Sequence, residues 1–322
     1  MKSTLITLLM LVLAIQVNAT IFVKTGANGN GTNWNNAFGT ITEALAQAQA
    51  GDVIWVAAGT YTPTNTADRT ASFDIKDGVK IYGGFAGTEI SFNQRASKLN
   101  ETTLSGEIGN PGIADNTYNI LYIENVTANT VVDGFIIAFG NANGEAEAAA
   151  RIRCGGALYN SGVNGVSKPT IANCIFQNNA GRDGAAVYNN GRKGEASPTF
   201  INCSFYNNIA DLDGGALYND GRQNGASNPS LKNCTFARNM GTYGGAIFNA
   251  TETGVCNLYL ENCVFNENSA YLRGGAVFSL NGADKCIMEL LDCTFVGNYP
   301  DDQSKVFTNN TARTKAYTIN QP

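Results

Sequence analysis

The sequence predicts an all-β fold, a right-handed parallel β-helix (a solenoid) with a short N-terminal capping helix. Three observations lead to this prediction. One unit recurs every 29 to 31 residues between Cys154 and Asn298, and a fixed period of that size indicates a repeat architecture. The unit is rich in Gly and Asn, which favour turns over helices. Its apolar runs are short and alternate with period two, as strands do.

Each unit contains two recurring half-motifs. The first has Gly-Gly-Ala or Gly-Ala-Ala, then an aliphatic residue, an aromatic residue and Asn or Ser, and it begins at Cys154, Asp183, Asp213, Tyr243 and Arg273. The second has a Cys-x-Phe-x-x-Asn core, with its cysteines at Cys174, Cys203, Cys234, Cys263 and Cys293. A propeller blade needs about 40 residues per repeat, so one coil of a solenoid fits this unit better.

Residues 1–19 have the pattern of a signal peptide. Lys2 supplies a positive charge, Leu5 to Ile15 form a short apolar core, and small residues precede Thr20. This run is too short to span a membrane, and we predict no transmembrane segment later in the chain. We therefore expect a protein that is extracellular or on the cell surface.

Residues 20–52 are predicted to close the N-terminal end of the solenoid. A strand at Ile21–Lys24 and a Gly/Asn loop at 26–36 precede Thr40 and Glu43, which form a capping box at the start of a short helix. The end of a solenoid would otherwise expose its core and strand edges. The helix is therefore expected to cover the first coil.

The β-helix itself is predicted for residues 53–298, with regular repeats at 154–298 and a C-terminal tail at 299–322. In the irregular part, strands are expected at 73–75, 79–82, 103–105, 120–123 and 131–139, and the polar segment 88–98 is expected to loop out. In the tail, 306–307 and 316–319 are weak strand predictions.

Composition excludes one class of partner. The chain has a net charge of −5, no histidine and no run of Lys or Arg. The basic surface that nucleic-acid binding requires is therefore missing.

The cysteines are predicted to be structural. Cys174, Cys203, Cys234, Cys263 and Cys293 share one repeat position, so they should stack as a ladder of buried thiols that fill the core. Cys256 and Cys286 form a second aligned pair near loops, and the sequence allows a disulfide between them. The preceding Asn173, Asn202, Asn233 and Asn262 are predicted at a bend, in the left-handed conformation and with stacked amides.

The aromatic position of the first half-motif has two interpretations. The rings of Tyr159, Tyr188, Tyr218, Phe248 and Phe278 could form an outward stack that serves as a sugar platform, or they could point into the core.

The best polar cluster precedes the Gly-Gly-Ala motif. Asp183 and Asp213 are aligned one coil apart, with Asp211 and Arg182 beside them. Carboxylates about 5 Å apart repel, so such a pair binds a cation, shares a proton or points into solvent beside Arg. A calcium site at Asp183 and Asp213 is one hypothesis, and acid–base or lyase chemistry with Arg182 is another. A solvated charged edge is the plain alternative.

The loops that follow the aromatic-Asn positions are also aligned, at 161–168, 190–197, 220–228, 250–256 and 279–286. Insertions on one face of a repeat array commonly build the binding surface. Arg192, Lys193 and Arg222 place cations on this face, which hints at binding of an acidic glycan or protein.

The Gly-Gly-Ala-aliphatic-aromatic-Asn and Phe-x-x-Asn pair resembles the repeat of the polymorphic outer membrane proteins of chlamydiae. Gly51-Asp-Val-Ile-Trp-Val-Ala-Ala-Gly-Thr-Tyr61, Tyr82-Gly-Gly-Phe-Ala-Gly-Thr-Glu89, Thr103-Leu-Ser-Gly-Glu-Ile-Gly109 and Val132-Asp-Gly-Phe-Ile-Ile137 are similar to secreted bacterial, pectin-lyase-like β-helix proteins that carry the same repeats. The resemblance implies a bacterial protein and leaves an association with the outer membrane open, but the motifs themselves are structural. The resemblance also brings in polysaccharide lyases, which share the fold class. The family pattern of the polygalacturonases includes a histidine, and this chain has none, which counts against a hydrolase of that type.

The sequence as a whole favours a non-catalytic secreted or cell-surface protein. It would present its aligned loops for adhesion to a carbohydrate or to a host or cell-surface protein. The alternative is a polysaccharide lyase, or another carbohydrate-active enzyme, acting on an acidic glycan. Apart from calcium, no cofactor is predicted.

Overall fold

The computed structural model describes residues 18–280, residues 285–301 and the backbone of residues 317–319. Its strand pairings are all parallel, and each strand pairs with the equivalent strand of a neighbouring coil. The chain is therefore a parallel β-helix, as the repeat period predicts.

Two sheets run the length of the molecule. Sheet 1 consists of Thr20–Val23, Val53–Ala57, Lys80–Phe85, Val131–Asp133, Thr170–Ala172, Thr199–Ile201, Ser230–Lys232, Leu258–Glu261 and Met288–Leu291. Sheet 2 consists of Gly59–Tyr61, Thr102–Ser105, Ile136–Ala138, Ile175–Gln177, Ser204–Tyr206, Thr235–Ala237, Val264–Asn266, Cys293–Val296 and Tyr317–Ile319. The last strand continues sheet 2 beyond residue 298, into the segment predicted as a tail. The other tail strand, at 306–307, lies outside the described residues.

Three shorter sheets complete the coils. Sheet 3 consists of Phe73–Ile75, Leu121–Glu124, Leu158–Ser161, Val187–Asn190, Leu217–Asp220, Ile247–Ala250 and Val277–Leu280. Sheet 4 consists of Asn141–Ala142, Ala180–Gly181, Ile209–Ala210, Met240–Tyr243 and Ser269–Arg273, and sheet 5 of Val166–Ser167 and Glu195–Ala196. Single-turn 3-10 helices lie at Trp34–Asn36, Phe92–Gln94, Ile113–Asp115 and Arg151–Arg153.

The core is a set of side-chain columns, because the parallel register places the same repeat position in every coil. In sheet 2, the rings of Phe176, Phe205, Phe236, Phe265 and Phe295 are buried and stack with centroids 4.6–4.8 Å apart. In sheet 3, the inward column is Leu121, Leu158, Val187, Leu217, Ile247 and Val277. The period-two alternation of the sequence thus selects which side chains enter the core.

The N-terminal helix, Ile41–Gln47, covers this core as predicted. Its capping box is formed: Thr40 Oγ1 accepts from Glu43 N at 3.2 Å, and the Glu43 carboxylate accepts from Thr40 N at 3.1 Å. Ile41, Ala44 and Leu45 are buried against the first coils. The helix therefore shields the apolar end of the solenoid.

The turn between sheets 1 and 2 carries an exposed amide ladder. Asn173, Asn202, Asn233 and Asn262 all have φ between 52° and 55°, the left-handed region that Asn tolerates better than most residues. Each amide after the first donates to the previous Asn Oδ1, at 2.8–3.1 Å. In the irregular coils Gly134 takes this position with φ +80°, which splits the predicted strand 131–139 in two.

Two further ladders are buried. Asn179, Asn208, Asn239, Asn268 and Asn298 end the Phe-x-x-Asn half-motif, and each amide from Asn208 onward donates to the carbonyl of a phenylalanine one coil back. In sheet 3, Asn160, Asn189, Asn219 and Asn249 donate in turn to the next coil and end on Ser279. Buried polar groups need such partners, so these asparagines are structural.

Candidate functional site

The predicted acidic cluster lies at the edge where sheet 4 leads into sheet 3. We call Arg153, Arg182, Asp183, Asp211 and Asp213 the charged corner. Arg153, Arg182 and Asp211 line an open cleft of about 310 Å³ together with residues 143–146. The structure thus brings Arg182 and Asp211 to one cleft and places Asp183 directly behind it.

The two aligned carboxylates are used by the fold itself. Asp183 is buried, forms an ion pair with Arg182 Nη1, and accepts from Asp213 N at 3.4 Å. Asp213 is half-buried and accepts from Tyr243 N at 3.2 Å. Each carboxylate therefore fastens the backbone of the next coil.

Burial sets the acidity of this pair. It raises the pKa of Asp183, although the Arg182 charge opposes the shift. Burial, and then the neighbouring Asp183 charge, raise the pKa of Asp213 to about 6. Asp213 is therefore a carboxyl group that titrates near neutral pH, a property that acid–base catalysts share.

The charged corner does not offer what calcium requires. Ca²⁺ takes 6–8 oxygen ligands, whereas Asp183 already holds a guanidinium group. Within the described part of the chain, no group of three or more His, Cys, Asp or Glu side chains could hold a metal ion. The residues present therefore fit an ion pair better than a calcium site.

Two of the basic residues predicted on the aligned loops form ion pairs with a buried acid. Arg192 Nε lies 2.6 Å from Asp220 Oδ2, while Arg222 contacts both oxygens through Nε and Nη2 at 2.8 Å. Tyr188 OH donates to the same carboxylate at 2.6 Å. The Asp220 side chain is 0% exposed, and the two arginines are 17% and 21% exposed. We call these four residues the arginine clamp.

The pKa of Asp220 reflects this arrangement. Burial alone would raise it, but the hydrogen bonds and charge of Arg222, followed by the charge of Arg192, hold the pKa below its usual range. The carboxylate thus stays ionised inside the protein. Two cations face one anion, so the clamp carries one excess positive charge.

The loops around the clamp are stacked. The strands of sheet 5 and single bridges from Glu195 to Ala226 and from Ala226 to Val255 connect successive loops. Lys193 is exposed on this face with φ 57°, and Lys168 Nζ pairs with Glu195 at 2.9 Å. The aligned loops 161–168, 190–197, 220–228 and 250–256 therefore form one continuous face, which we call the loop face.

The aromatic position of the repeats forms a stack that is covered. Tyr122, Tyr159, Tyr188, Tyr218, Phe248 and Phe278 follow one another with centroids 4.8–6.1 Å apart. The five rings from Tyr159 to Phe278 are at most 6% exposed and form a second apolar cluster with Ala149 and Cys154. The rings lie outside the main core, but they do not provide an exposed sugar platform.

The thiols are buried and free. Cys174, Cys203, Cys234, Cys263 and Cys293 lie in the core, where each Sγ contacts a backbone carbonyl oxygen at 3.2–3.5 Å. Cys256 and Cys286 are also free thiols, and Cys286 Sγ donates to Ser279 Oγ at 3.2 Å. The allowed disulfide is therefore not formed in this structure.

One cleft was missed by the sequence analysis. Phe22, Trp34 and Trp55 line a cavity of about 640 Å³ near the N-terminal end, on the outer face of sheet 1. The signal was available in part, because Phe22, Trp55 and Tyr82 occupy outward positions between inward aliphatic residues. The approach of Trp34 depends on a loop that has no periodicity, and the sequence gives no pattern for it.

Comparison with protein families supports the resemblance drawn from the repeats. Residues 202–220 and 262–280 match the Chlamydia polymorphic membrane protein repeat. Residues 24–88 match a family described as a protein of unknown function, DUF1565. No curated protein matches the sequence.

Several solved structures are similar in fold. A pectin methylesterase from Aspergillus niger has a TM-score of 0.45 and 13% identity, over 94% of this chain and 92% of that chain. A mutant pectin methylesterase in complex with a hexasaccharide scores 0.44 at 12% identity, over 86% and 80%. A rhamnogalacturonan lyase scores 0.34 at 12% identity, over 79% and 74%. At such scores these structures bear on neither activity nor ligand.

No helix in the described part of the chain is long and apolar enough to cross a bilayer.

Proposed function

We propose that this chain is a non-catalytic, exported surface protein whose loop face binds an acidic glycan. The observation that carries the proposal is the loop face itself. Loops from successive coils stack there into a fixed surface, and the arginine clamp holds two guanidinium groups at its base. The match to a membrane-protein repeat of Chlamydia supports a surface location.

The charge balance of the first three loops of the loop face favours an anionic ligand. The loops 161–168, 190–197 and 220–228 carry four basic residues, Lys168, Arg192, Lys193 and Arg222, against the two acids Glu195 and Asp220. Both acids are already ion-paired within the face. A chain with a net charge of −5 thus has a locally positive surface, and charge complementarity of this kind steers association.

The order of the loops matters as much as their charge. A flexible basic loop loses conformational entropy when it binds, whereas a preorganised one does not. Here the backbone of each loop is hydrogen-bonded to its neighbours, as in Gly162 N to Asn190 O at 2.9 Å and Gly191 N to Asp220 O at 2.8 Å. Because Arg192 and Arg222 lie one coil apart, a polymer with regularly spaced charges fits this face.

Binding to immobilised polygalacturonate, a sulfated glycosaminoglycan and a neutral glucan tests the proposal. We expect binding to the two acidic polymers only, weakening as salt increases. Lys193→Asn should weaken it about threefold, the effect of one exposed ion pair. Asn suits the positive φ of that position, so the fold should be kept.

Arg238→Asn is the matched control, because Arg238 is also an exposed cation with positive φ but lies away from the loop face. Equal losses from the two variants would reject the loop face as the binding surface. Binding only to a protein extract, and to none of the glycans, would reject the glycan as the ligand.

The second candidate function is a β-elimination lyase at the charged corner. It is favoured by Arg182 and Asp211, which line one cleft, and by Asp213, two residues from Asp211, whose pKa is raised to about 6. Arg182, which lines the cleft, would neutralise the substrate carboxylate.

Absorbance of the unsaturated product, followed over a panel of acidic polysaccharides, tests this function. A lyase would release product in a reaction that Arg182→Ala and Asp213→Asn abolish. Lys193→Asn would leave that rate unchanged at saturating substrate. Binding without product formation would support the adhesive function instead.

A further inference from the structure

The cleft at the N-terminal end is built from two strands, a 3-10 helix and an insertion. Phe22 and Trp55 come from adjacent strands of sheet 1, Trp34 from the 3-10 helix in the Gly/Asn loop, and Ile90 from the insertion after Phe85. We call the site lined by Phe22, Trp34, Trp55 and Ile90, with Asn33 and Asn35 at its rim, the aromatic cleft. Its volume is about 640 Å³, within the range of small-molecule sites.

The aromatic cleft is not a by-product of coil stacking. The outward column that begins Phe22, Trp55 and Tyr82 continues in the later coils as Asp133, Ala172, Ile201, Lys232, Glu261 and Leu291. In this outward column of sheet 1, aromatic rings are therefore confined to the first coils. Burial in the core does not explain them, because Phe22, Trp34 and Trp55 are each only half-buried.

The rings are held in fixed orientations. Trp55 stacks on Phe85 with centroids 4.6 Å apart, and Phe22 contacts Trp34 edge to face at 4.9 Å. Trp34 Nε1 donates to Glu89 O at 2.9 Å. The cleft is thus preorganised, which lowers the entropic cost of binding.

Among the described residues, Glu89 is the only charged one that lines the aromatic cleft, and its carboxylate is held by backbone N–H groups. Its carboxylate accepts from Ala86 N, Gly87 N and Thr88 N at 2.5–3.0 Å and is buried. The side chains that remain at the rim are amides and hydroxyl groups. Within the described residues, no hydrogen-bond partner holds the exposed side-chain amide of Asn35.

From this geometry we infer that the aromatic cleft binds an uncharged saccharide. A pyranose ring has a face of C–H groups that packs on an indole ring and an edge of hydroxyl groups that bond to amides. The cleft offers these two surfaces together: the faces of Trp34 and Trp55, and the side-chain amide of Asn35. Asn33 lines the cleft as well, but its Oδ1 already accepts from Asn35 N and Asn36 N. An acidic sugar would find no free cation among the residues that line the cleft.

Tryptophan fluorescence gives a direct test, because Trp34 and Trp55 are the only two tryptophans in the chain. The full chain is titrated with cellotetraose, xylotetraose and the tetramer of N-acetylglucosamine. We expect a saturable change in emission with at least one of them. High salt should leave it unchanged, in contrast to binding at the loop face.

Three variants locate the binding. Trp34→Ala should weaken it about tenfold, since a ring contact is lost. Asn35→Ala, which removes only an exposed amide, should weaken it several-fold without affecting the fold. Tyr271→Ala is the control, because Tyr271 is an aromatic residue of sheet 4 that is 84% exposed and far along the chain. This variant should bind the sugars as tightly as the unmodified chain does.

The outcomes separate this inference from the proposed function. No saturable change with any of the three sugars overturns it. An emission change that depends on protein concentration alone also overturns it, in favour of a second copy of the chain in the cleft. Lys193→Asn should leave the fluorescence titration unchanged, so the aromatic cleft and the loop face can fail independently.

Discussion

At the scale of single residues, the arginine clamp is where the chain depends most on one side chain. Asp220 is fully buried and accepts hydrogen bonds from Arg192, Arg222 and Tyr188. Asp220→Asn leaves two guanidinium groups without their anion. We expect the free energy of unfolding to fall by about 3 kcal/mol, at the lower end for a broken buried pair because both arginines retain some access to water. Urea denaturation at neutral pH measures the loss.

Asp211→Asn is the matched control for this variant, since Asp211 is exposed and should change stability by less than about 0.5 kcal/mol. The pH dependence has a definite sign. The pKa of Asp220 is lowered in the folded chain, so its contribution is complete above the unfolded pKa of about 3.9 and is lost as the pH falls through the folded pKa. Equal stability of the two variants would contradict the role of the clamp.

Asp213 should have the opposite pH dependence. Its pKa is raised to about 6 by burial and by Asp183, so the folded chain binds more protons than the unfolded chain between about pH 4 and pH 6. Stability of the unmodified chain should therefore fall across that interval. Asp213→Asn removes the effect and keeps the oxygen that accepts from Tyr243 N.

At pH 7 we expect Asp213→Asn to be more stable than the unmodified chain by about 1 kcal/mol, a value reduced for solvent screening of a half-buried group. At pH 4 the two should be nearly equal. Denaturant titrations at pH 4 and pH 7 measure the difference. A variant that is less stable at pH 7 would show that the Asp213 charge supports the fold.

A third prediction at the residue scale concerns the reactivity of the thiols. All eight cysteines are buried and free, and burial raises the pKa of Cys174 to about 12, so native thiols should react very slowly with an aromatic disulfide reagent. In denaturant all eight should react. A count lower by two, after purification without reductant, would show that Cys256 and Cys286 are linked.

At the scale of elements, the buried asparagine ladder should be a main source of stability between coils. Asn239 donates to Phe205 O and Asn268 Oδ1, both at 2.9 Å, and accepts from the backbone and side chain of Asn208. Asn239→Ala leaves these buried groups without partners. We expect a loss of about 3 kcal/mol in the free energy of unfolding, measured by urea denaturation.

The exposed ladder supplies the comparison. Asn233 also bonds to its neighbour, at 3.0 Å, but in contact with water. Asn233→Gly keeps the positive φ of 55° accessible and should cost no more than about 1 kcal/mol. If both variants lost the same stability, burial would not be what makes the inner ladder important.

The sequence predicted elements well where they repeat. Alternation in Cys-x-Phe identified the strands of sheet 2, and the recurring Asn173 position identified the left-handed turn. Periodicity also held the signal for the arginine clamp, because Arg192 and Arg222 are one coil apart and Arg222 follows Asp220 by two residues. From the sequence, these arginines are predicted as surface cations, because a repeat gives the alignment of side chains but not their burial.

Contacts between non-repeating segments could not be predicted in this way. The cover over the aromatic stack includes Ala149, which lies before the first regular coil, and Cys154, which is the first residue of that coil. The aromatic cleft depends on Trp34 reaching Glu89, 55 residues later. No period relates these pairs, so only the folded chain brings them together.

At the scale of the whole molecule, each described coil contacts mainly its two neighbours. Stability in such an array is approximately a sum of coil terms and interface terms. The columns and ladders are nearly the same at each interface, so two coils that are not neighbours should also fit together. A chain that lacks one whole coil should therefore still fold.

Deletion of residues 234–262 tests this expectation. It joins Asn233 to Cys263, restores the Asn-Cys dipeptide and leaves the arginine clamp intact. Asn208 would then meet Asn268, and Tyr218 would meet Phe278. We expect a chain that still folds. The slope of its free energy of unfolding against urea concentration should decrease by about one ninth, since the two long sheets have nine strands each.

Deletion of residues 234–248, which removes half a coil, is the control. It should abolish cooperative unfolding because it connects strands of different sheets. If both deletions unfolded the chain equally, the coils would not be interchangeable, and the non-repeating contacts at the two ends would control the fold.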